Sequence, residues 1–394
     1  MKYYLIAGEA SGDLHAANLM KALLDEDAEA TFRCWGGDLM ESAGGNLVKH
    51  YKELAFMGFW EVIKNLNTIS KNLDFCKKDI AAHQPDVLIL IDYSGFNLRI
   101  AQWAKTAGWK VFYYISPQVW ASRQSRVKKI KKYVDKLFVI LPFEKAFYQQ
   151  FDMEVDFVGH PLLDAIEAFQ QEAKNPPPSS LQKGKTAYQL DNQSFQVKSL
   201  SNEKPIIALL PGSRQQEIAV VLKIMLPLVK QFPDYQFIIA VAPAIPFSFY
   251  ETIITHTGTA KDDVMLIKDQ TYALLNQSKA AIVTSGTATL ETALFEVPQV
   301  VCYKGNWLTY QIAKQIINVP YISLVNLIAN RPLVKELIQD DLTVDNLERE
   351  LKAILATQKV KELKQAYRQI KQQLGDVGAS RRAAKLMTAY LQPS

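Results

Sequence analysis

The chain of 394 residues has little cysteine, and its three residues, Cys34, Cys76 and Cys302, lie far apart. An odd, scattered set fits neither a disulfide framework nor a zinc site, so a reducing cytoplasm is the expected compartment. Long apolar runs are missing too. The longest, such as Val87-Leu88-Ile89-Leu90-Ile91, have strand length and fall well short of the ~18–20 residues that span a bilayer. At the start, Met1-Lys2-Tyr3-Tyr4-Leu5-Ile6 runs straight into a glycine-containing turn and leaves no signal-peptide core, so secretion is not expected. Charge of one sign is also scarce. With 45 Lys+Arg against 40 Asp+Glu the net charge is +5, and no nucleic-acid partner is expected, because phosphate-backbone binding needs a concentrated basic excess. The five histidines show no ligand spacing, and Asp25-Glu26-Asp27, a DxD pattern, falls in a charged loop. No metal is expected.

What is present is a large apolar fraction, 48% hydrophobic and 10% aromatic, enough for two domains at roughly 150 residues each. Short apolar runs alternate with amphipathic stretches: Tyr3 to Ala7, then a helical pattern from His15 to Leu24, and later Val87 to Ile91 followed by Asn97 to Thr106. With Lys110 to Ile115, Leu137 to Leu141 and Val155 to Val158, this reads as a doubly wound parallel sheet over residues 1–170. Pro176-Pro177-Pro178-Ser179-Ser180 breaks the pattern, and 171–204 reads as a linker or insertion. A second sheet restarts at Ile206 to Leu210 and continues through Gln236 to Val241, Val264 to Ile267, Ala280 to Thr284 and Gln299 to Cys302, within a domain at 205–365. Residues 366–394 read as a helical tail. The expected class is α/β, with two Rossmann-like halves facing each other across a cleft and ligands at the carboxyl ends of the strands.

Four strand-to-helix turns carry candidate chemistry. Gly8-Glu9-Ala10-Ser11-Gly12-Asp13 brings Glu9 and Asp13 to a strand end, which favours a polar ligand over a plain tight turn. Asp92, directly after Ile91, stands where a carboxylate can act as general base towards a hydroxyl; capping the next helix is the alternative. In Leu210-Pro211-Gly212-Ser213-Arg214 the guanidinium can grip a diphosphate beside Gly212 and Ser213 and offset the charge of a leaving group. Thr284-Ser285-Gly286-Thr287-Ala288-Thr289-Leu290-Glu291 offers hydroxyls and free N–H groups to a pyrophosphate, with Glu291 placed to accept from ribose hydroxyls. His160, just past a strand, is a candidate for lining the cleft. Met57, Phe59, Trp60 and Ile63 form an apolar stripe with lysines nearby; core packing is the ordinary reading of such a stripe, but Phe59 and Trp60 cannot both face one core side of a helix, which favours contact with an anionic membrane surface. A basic run, Arg123 to Lys132, is either a solvated face or a surface for phosphate head groups.

In this order the segments resemble the lipid-A-disaccharide synthases, a family of two-domain GT-B glycosyltransferases (family 19). The resemblance rests on Ala7-Gly8-Glu9-Ala10-Ser11-Gly12-Asp13, Tyr114-Ile115-Ser116-Pro117-Gln118-Val119-Trp120-Ala121, Leu141-Pro142-Phe143-Glu144-Lys145, Gly159-His160-Pro161, Leu210-Pro211-Gly212-Ser213-Arg214, Ser285-Gly286-Thr287-Ala288 and Ser323-Leu324-Val325-Asn326-Leu327. It runs from Tyr4 to about Gln373, apart from the stretch near 170–204. It implies inverting transfer of 2,3-diacylglucosamine from its UDP derivative to the 6-hydroxyl of 2,3-diacylglucosamine 1-phosphate (lipid X), with no metal or redox cofactor. Asp92 would be the base, Arg214 would contact the diphosphate, and Glu9 and Asn326 would line the active site. Ser285 to Thr289 with Glu291 would hold UDP, and the first domain would take the acceptor. The stripe at Met57, Phe59, Trp60 and Ile63 would dip towards the cytoplasmic face of the inner membrane, making a peripheral protein. The resemblance also implies a C-terminal helix crossing back to the first domain, and a monomer or homodimer. Gly95 stands where the family's familiar form has a second aspartate. The rivals are another UDP-sugar GT-B enzyme, such as a peptidoglycan-precursor transferase or an epimerase, and a non-catalytic nucleotide-binding protein at the membrane.

Overall fold

A computed structural model describes residues 1–53, 66–174, 204–305 and 319–392. By contact the chain divides into two units, one of Met1–Asp164 with Leu374–Ser394 and the other of Ala165–Gln373. These breaks lie a few residues from the boundaries read at 170/171 and 365/366.

The first unit is built on a parallel sheet of β1 (Lys2–Ala7), β2 (Thr31–Gly36), β3 (Asn46–His50), β4 (Val87–Ile91), β5 (Lys110–Tyr114), β6 (Lys136–Val139) and β7 (Asp156–Phe157). Its order is β3-β2-β1-β4-β5-β6-β7. β4 is buried along its whole length because β1 and β5 flank it and helices cover both faces, which is why its sequence is an unbroken apolar run. Alternation along the strands separates two cores. Tyr4, Ile6, Leu88, Leu90 and Tyr113 pack on one face. Tyr3, Leu5, Ile89, Ile91 and Tyr114 pack on the other, with Ala383, Ala384 and Met387 of the C-terminal helix Ala379–Leu391. That helix is tied down by charge. The Asp164 carboxylate accepts from the backbone N–H groups of Gly378, Ala379 and Ser380 at 2.6, 3.2 and 3.1 Å, and Arg382 Nε donates to the Val158 carbonyl at 2.8 Å. The Arg382 guanidinium lies so close to Gly159, itself at φ +85°, that a Cβ there would stand 2.4 Å from Nη2.

The second unit repeats the plan with β8 (Ile206–Leu210), β9 (Gln236–Val241), β10 (Val264–Lys268), β11 (Ser278–Thr284), β12 (Gln299–Tyr303) and β13 (Glu336–Ile338), all parallel, in the order β10-β9-β8-β11-β12-β13. β2, β3 and β13 have no counterpart in the sequence reading. β2 has Thr31 and Arg33 interrupting its apolar residues, β3 is only partly buried, and β13 has only three residues, so none presents an unbroken apolar run.

Candidate active site

In each unit the strand order reverses once, between β1 and β4 in the first and between β8 and β11 in the second. Open α/β sheets bind ligands in the crevice that such a reversal leaves at the carboxyl ends of the strands. Glu9 and Asp92 stand at the first of these places, and Gly212 to Arg214 with Ser285 to Thr289 at the second.

In the first unit, Ala7 of β1 is in register with Ile91 of β4, so the chain leaves both strands side by side. Gly8 is required there by close approach, since a Cβ would stand 2.2 Å from the Tyr93 ring. Glu9 follows at the N-cap of the helix Ala10–Glu26, next to Asp92. Asp92 and Tyr93 both have φ +45° and Ile115, just past β5, has φ +61°. Non-glycine residues held in this region store strain of the kind found at functional sites. The Asp92 turn is clamped from behind: Asn97 Nδ2 donates to the carbonyls of Asp92, Ile91 and Ile6 at 3.0, 3.2 and 3.3 Å, and the Tyr113 hydroxyl donates to the Asp92 carbonyl. Burial and then the negative charge of Glu9 raise the Asp92 carboxyl to about 6, with a hydrogen bond from the Tyr93 backbone opposing them. A carboxylate so placed is ionised at neutral pH yet basic enough to take a proton.

Asp13 and His160 have other employment. The Asp13 carboxylate is buried and accepts from the N–H groups of Gly37, Leu39 and Met40 at 2.8, 3.1 and 3.1 Å, capping the short helix Asp38–Ser42. His160 is buried, accepts from the Leu162 N–H at 3.2 Å, and has its pKa lowered to about 3 by burial and then by His15. At Gly95, no heavy atom of the described residues beyond its chain neighbours lies within 4 Å of where a Cβ would stand.

In the second unit, Leu210 of β8 pairs with Val283 of β11, which brings the two glycine turns together. Gly212, at φ +117°, has Glu217 Oε2 at 3.1 Å and Thr284 Cγ2 at 3.5 Å from a would-be Cβ. Arg214 is the N-cap of the helix Gln215–Met225, with its side chain 58% exposed and its Nη1 on Glu217 Oε1 at 2.9 Å. Gly286 caps the helix Thr287–Leu294 at φ +158°, whose first N–H groups have no intrahelical acceptor. The residues of this turn divide into two sets. Ser285 Oγ donates to the Ile322 carbonyl at 2.9 Å, and Thr289, fully buried, donates to the Gly286 carbonyl at 2.8 Å. Both shape the turn, whereas Gly286 and Thr287 are exposed and Ala288 is half-buried. Glu291 is fixed by the Tyr272 hydroxyl at 3.1 Å, and burial raises its pKa against that bond. Tyr272 is locked in turn by Phe295 and Phe169, at ring distances of 5.2 and 5.8 Å.

Asn326 is turned inwards. Its Nδ2 donates to the Val334 carbonyl at 2.9 Å and to Glu336 Oε1 at 2.8 Å, and its Oδ1 accepts from the Val334 N–H at 2.9 Å. Glu336 also accepts from Ile322 N, Ser323 N and Ser323 Oγ, so the pair organises the segment that Ser285 grips. Tyr272 and Glu336 carry no local motif that the sequence reading could have used. Met57, Phe59, Trp60 and Ile63 lie outside the described residues.

Comparison with known proteins supports both fold and family. Among solved structures, a UDP-GlcNAc 2-epimerase from Neisseria meningitidis bound to UDP-GlcNAc matches with a TM-score of 0.65 at 13% identity, over 99% of this chain and 100% of that one. The calicheamicin glycosyltransferase matches at 0.57 and 14%, over 99% and 98%. These likenesses establish the two-domain Rossmann-like fold class. The lipid-A-disaccharide synthase of Geobacter metallireducens is 36% identical over 392 residues, covering 98% of this chain and 96% of that protein. That of Coxiella burnetii is 37% identical over 343 residues, covering 86% and 85%. With the lipid-A-disaccharide synthetase family model matching residues 3–389 as well, the chain belongs to the lipid-A-disaccharide synthase family.

Proposed function

We propose that the chain transfers 2,3-diacylglucosamine from its UDP derivative to lipid X by direct displacement. The acceptor 6-hydroxyl gives its proton to the Asp92 carboxylate as its oxygen bonds to the anomeric carbon of the donor. The bond from that carbon to the diphosphate oxygen breaks, its electron pair leaves with UDP, and the configuration inverts to a β-1,6 linkage. Arg214 and the N–H groups at Gly286 and Thr287 take up the charge on the diphosphate. Glu291, held by Tyr272, accepts from the ribose. Glu9 sets the field at Asp92, and Asn326 positions the segment beside Ser285 rather than touching substrate.

The observation that carries this reading is the Asp92 carboxylate at the first reversal point, raised to about 6; the glycine turns with Arg214 at the second reversal point support it. A hydroxyl-activating base and a leaving-group site are the two things a glycosyl displacement needs. Both substrates are acylated, so the enzyme works at the cytoplasmic face of the inner membrane as a peripheral protein. No helix among the described residues is long and apolar enough to cross a membrane. Loss of retention on anionic liposomes in Phe59→Ser plus Trp60→Ser would support the surface contact, and absence of binding by the parent would refute it.

UDP release from UDP-2,3-diacylglucosamine, measured with and without lipid X, tests the reaction. Release that depends on lipid X is expected. Release that ignores it would indicate hydrolysis or epimerase-like chemistry, and no release would indicate a nucleotide-binding protein without this activity.

A further inference from the structure

Within the basic run from Arg123 to Lys132, Arg126 stands apart from the lysines. Lys128, Lys129, Lys131 and Lys132 are exposed; Lys131 Nζ donates to the Phe151 carbonyl at 2.8 Å, and Lys132 lies over the Tyr133 ring. Arg126 is half-buried and its Nη1 donates to Ser94 Oγ at 2.9 Å, two residues past Asp92. Burial and then the positive charges of Arg123 and Arg99 hold its pKa below the usual guanidinium value, with Tyr113 opposing. Among the described residues no carboxylate acts on it, and Arg99, Arg123 and Arg126 form no ion pair. Guanidinium groups gathered without a counter-charge repel one another, and a bound anion offsets that repulsion.

We propose that Arg126, flanked by Arg123 and Arg99, receives the phosphomonoester of the acceptor. This rests on the reaction proposed above and adds a subsite to it. The chemistry of the acceptor sets the spacing. In a hexosamine 1-phosphate the anomeric phosphate and the C5 arm bearing the 6-hydroxyl flank the same ring oxygen, so the base and the phosphate site must lie within one sugar of each other. Asp92 and Ser94 have Cα atoms at most about 7 Å apart, two residues of chain, and Arg126 is held at Ser94. Arginine suits the task because its planar fork meets phosphate oxygens two at a time.

The test compares lipid X with 2,3-diacylglucosamine lacking the phosphate, in wild type, Arg126→Ala and Arg126→Lys. Arg126→Ala should raise the KM for lipid X about 10- to 100-fold, with a smaller change in kcat and none in the donor KM. Arg126→Lys should recover part of the loss, and the KM for the dephosphorylated acceptor should not move. Equal loss with both acceptors, or a change confined to kcat, overturns the proposal. So does loss of retention on phosphatidylglycerol vesicles with the lipid X KM unchanged, which would make Arg126 a membrane contact. Binding of glucosamine 1-phosphate, followed by NMR without any donor, separates this subsite from the reaction: equal binding by wild type and Arg126→Ala, or none by either, rejects the subsite whatever the turnover assay gives.

Discussion

Glu9 and Asp92 leave neighbouring, in-register strands side by side, and the charge of Glu9 helps hold the Asp92 carboxyl at about 6. The ionised form is the one that can accept a proton. Activity should therefore rise with pH through about 6 and level off above it, in kcat/KM, which reports the free enzyme. Glu9→Gln removes a negative neighbour, lowers the Asp92 pKa and moves the acid limb to lower pH. A pH profile of UDP release for both proteins checks this, and a limb that stays in place would show that Glu9 does not act on the base.

Asp92→Asn separates chemistry from folding. Loss of a general base should lower kcat by about 10²- to 10⁴-fold. Stability should move the other way. The folded-state pKa lies above the ordinary 3.8, so the fold favours the protonated carboxyl: ionisation costs nothing below about pH 4 and has its full cost above about 6. The neutral amide removes that cost, and because Asp92 is partly exposed the gain at pH 7.5 is on the order of 1 kcal/mol. Thermal unfolding at pH 7.5 and pH 4 should show the advantage at the first and not at the second.

Asp92 and Asp13 also show how far the sequence could be read. Both follow a buried strand by a few residues, and both looked able to meet a ligand. What distinguishes them is remote: Asp13 is consumed by three N–H groups of the segment from Gly37 to Met40, which only the β1–β2 pairing brings near. The central strands were legible because burial on both faces writes an unbroken apolar run. The edge strand β3 and the short β13 are not, since burial there is partial or the strand too brief to set a period. The turns after β1, β4, β8 and β11 were legible as junctions, while the groups that fix them, Tyr272 and Glu336, depend on tertiary contacts no local pattern records.

Asn326 supplies a stability test of that kind. Replacing it with alanine leaves Glu336 and both backbone groups of Val334 short of a partner, and should cost about 2–4 kcal/mol. Asn326→Asp should be worse at neutral pH, because it sets a second carboxylate where Nδ2 now donates to Glu336 at 2.8 Å. As pH falls and one of the two takes up a proton, part of the loss should return. Urea denaturation of wild type and both variants at pH 8 and pH 5 measures this. A loss for Asn326→Asp that does not depend on pH would mean that Glu336 is not its charged neighbour.

Glu217 holds the arginine proposed above to contact the diphosphate. Its carboxylate holds Arg214 at 2.9 Å and reaches over Gly212, in the place where diphosphate oxygens would approach the turn. An exposed pair at this spacing is worth only a few tenths of a kcal/mol, so the ligand can displace it. Glu217→Gln should tighten UDP binding by about 2- to 5-fold, through release of the guanidinium and removal of a like charge. Arg214→Ala should weaken it by about 10- to 100-fold. In the Arg214→Ala background the benefit of Glu217→Gln should shrink, since only the repulsion is left to relieve. Calorimetric titration of UDP into the four proteins of this cycle gives the coupling directly, and full additivity would show that Glu217 and Arg214 act on UDP independently.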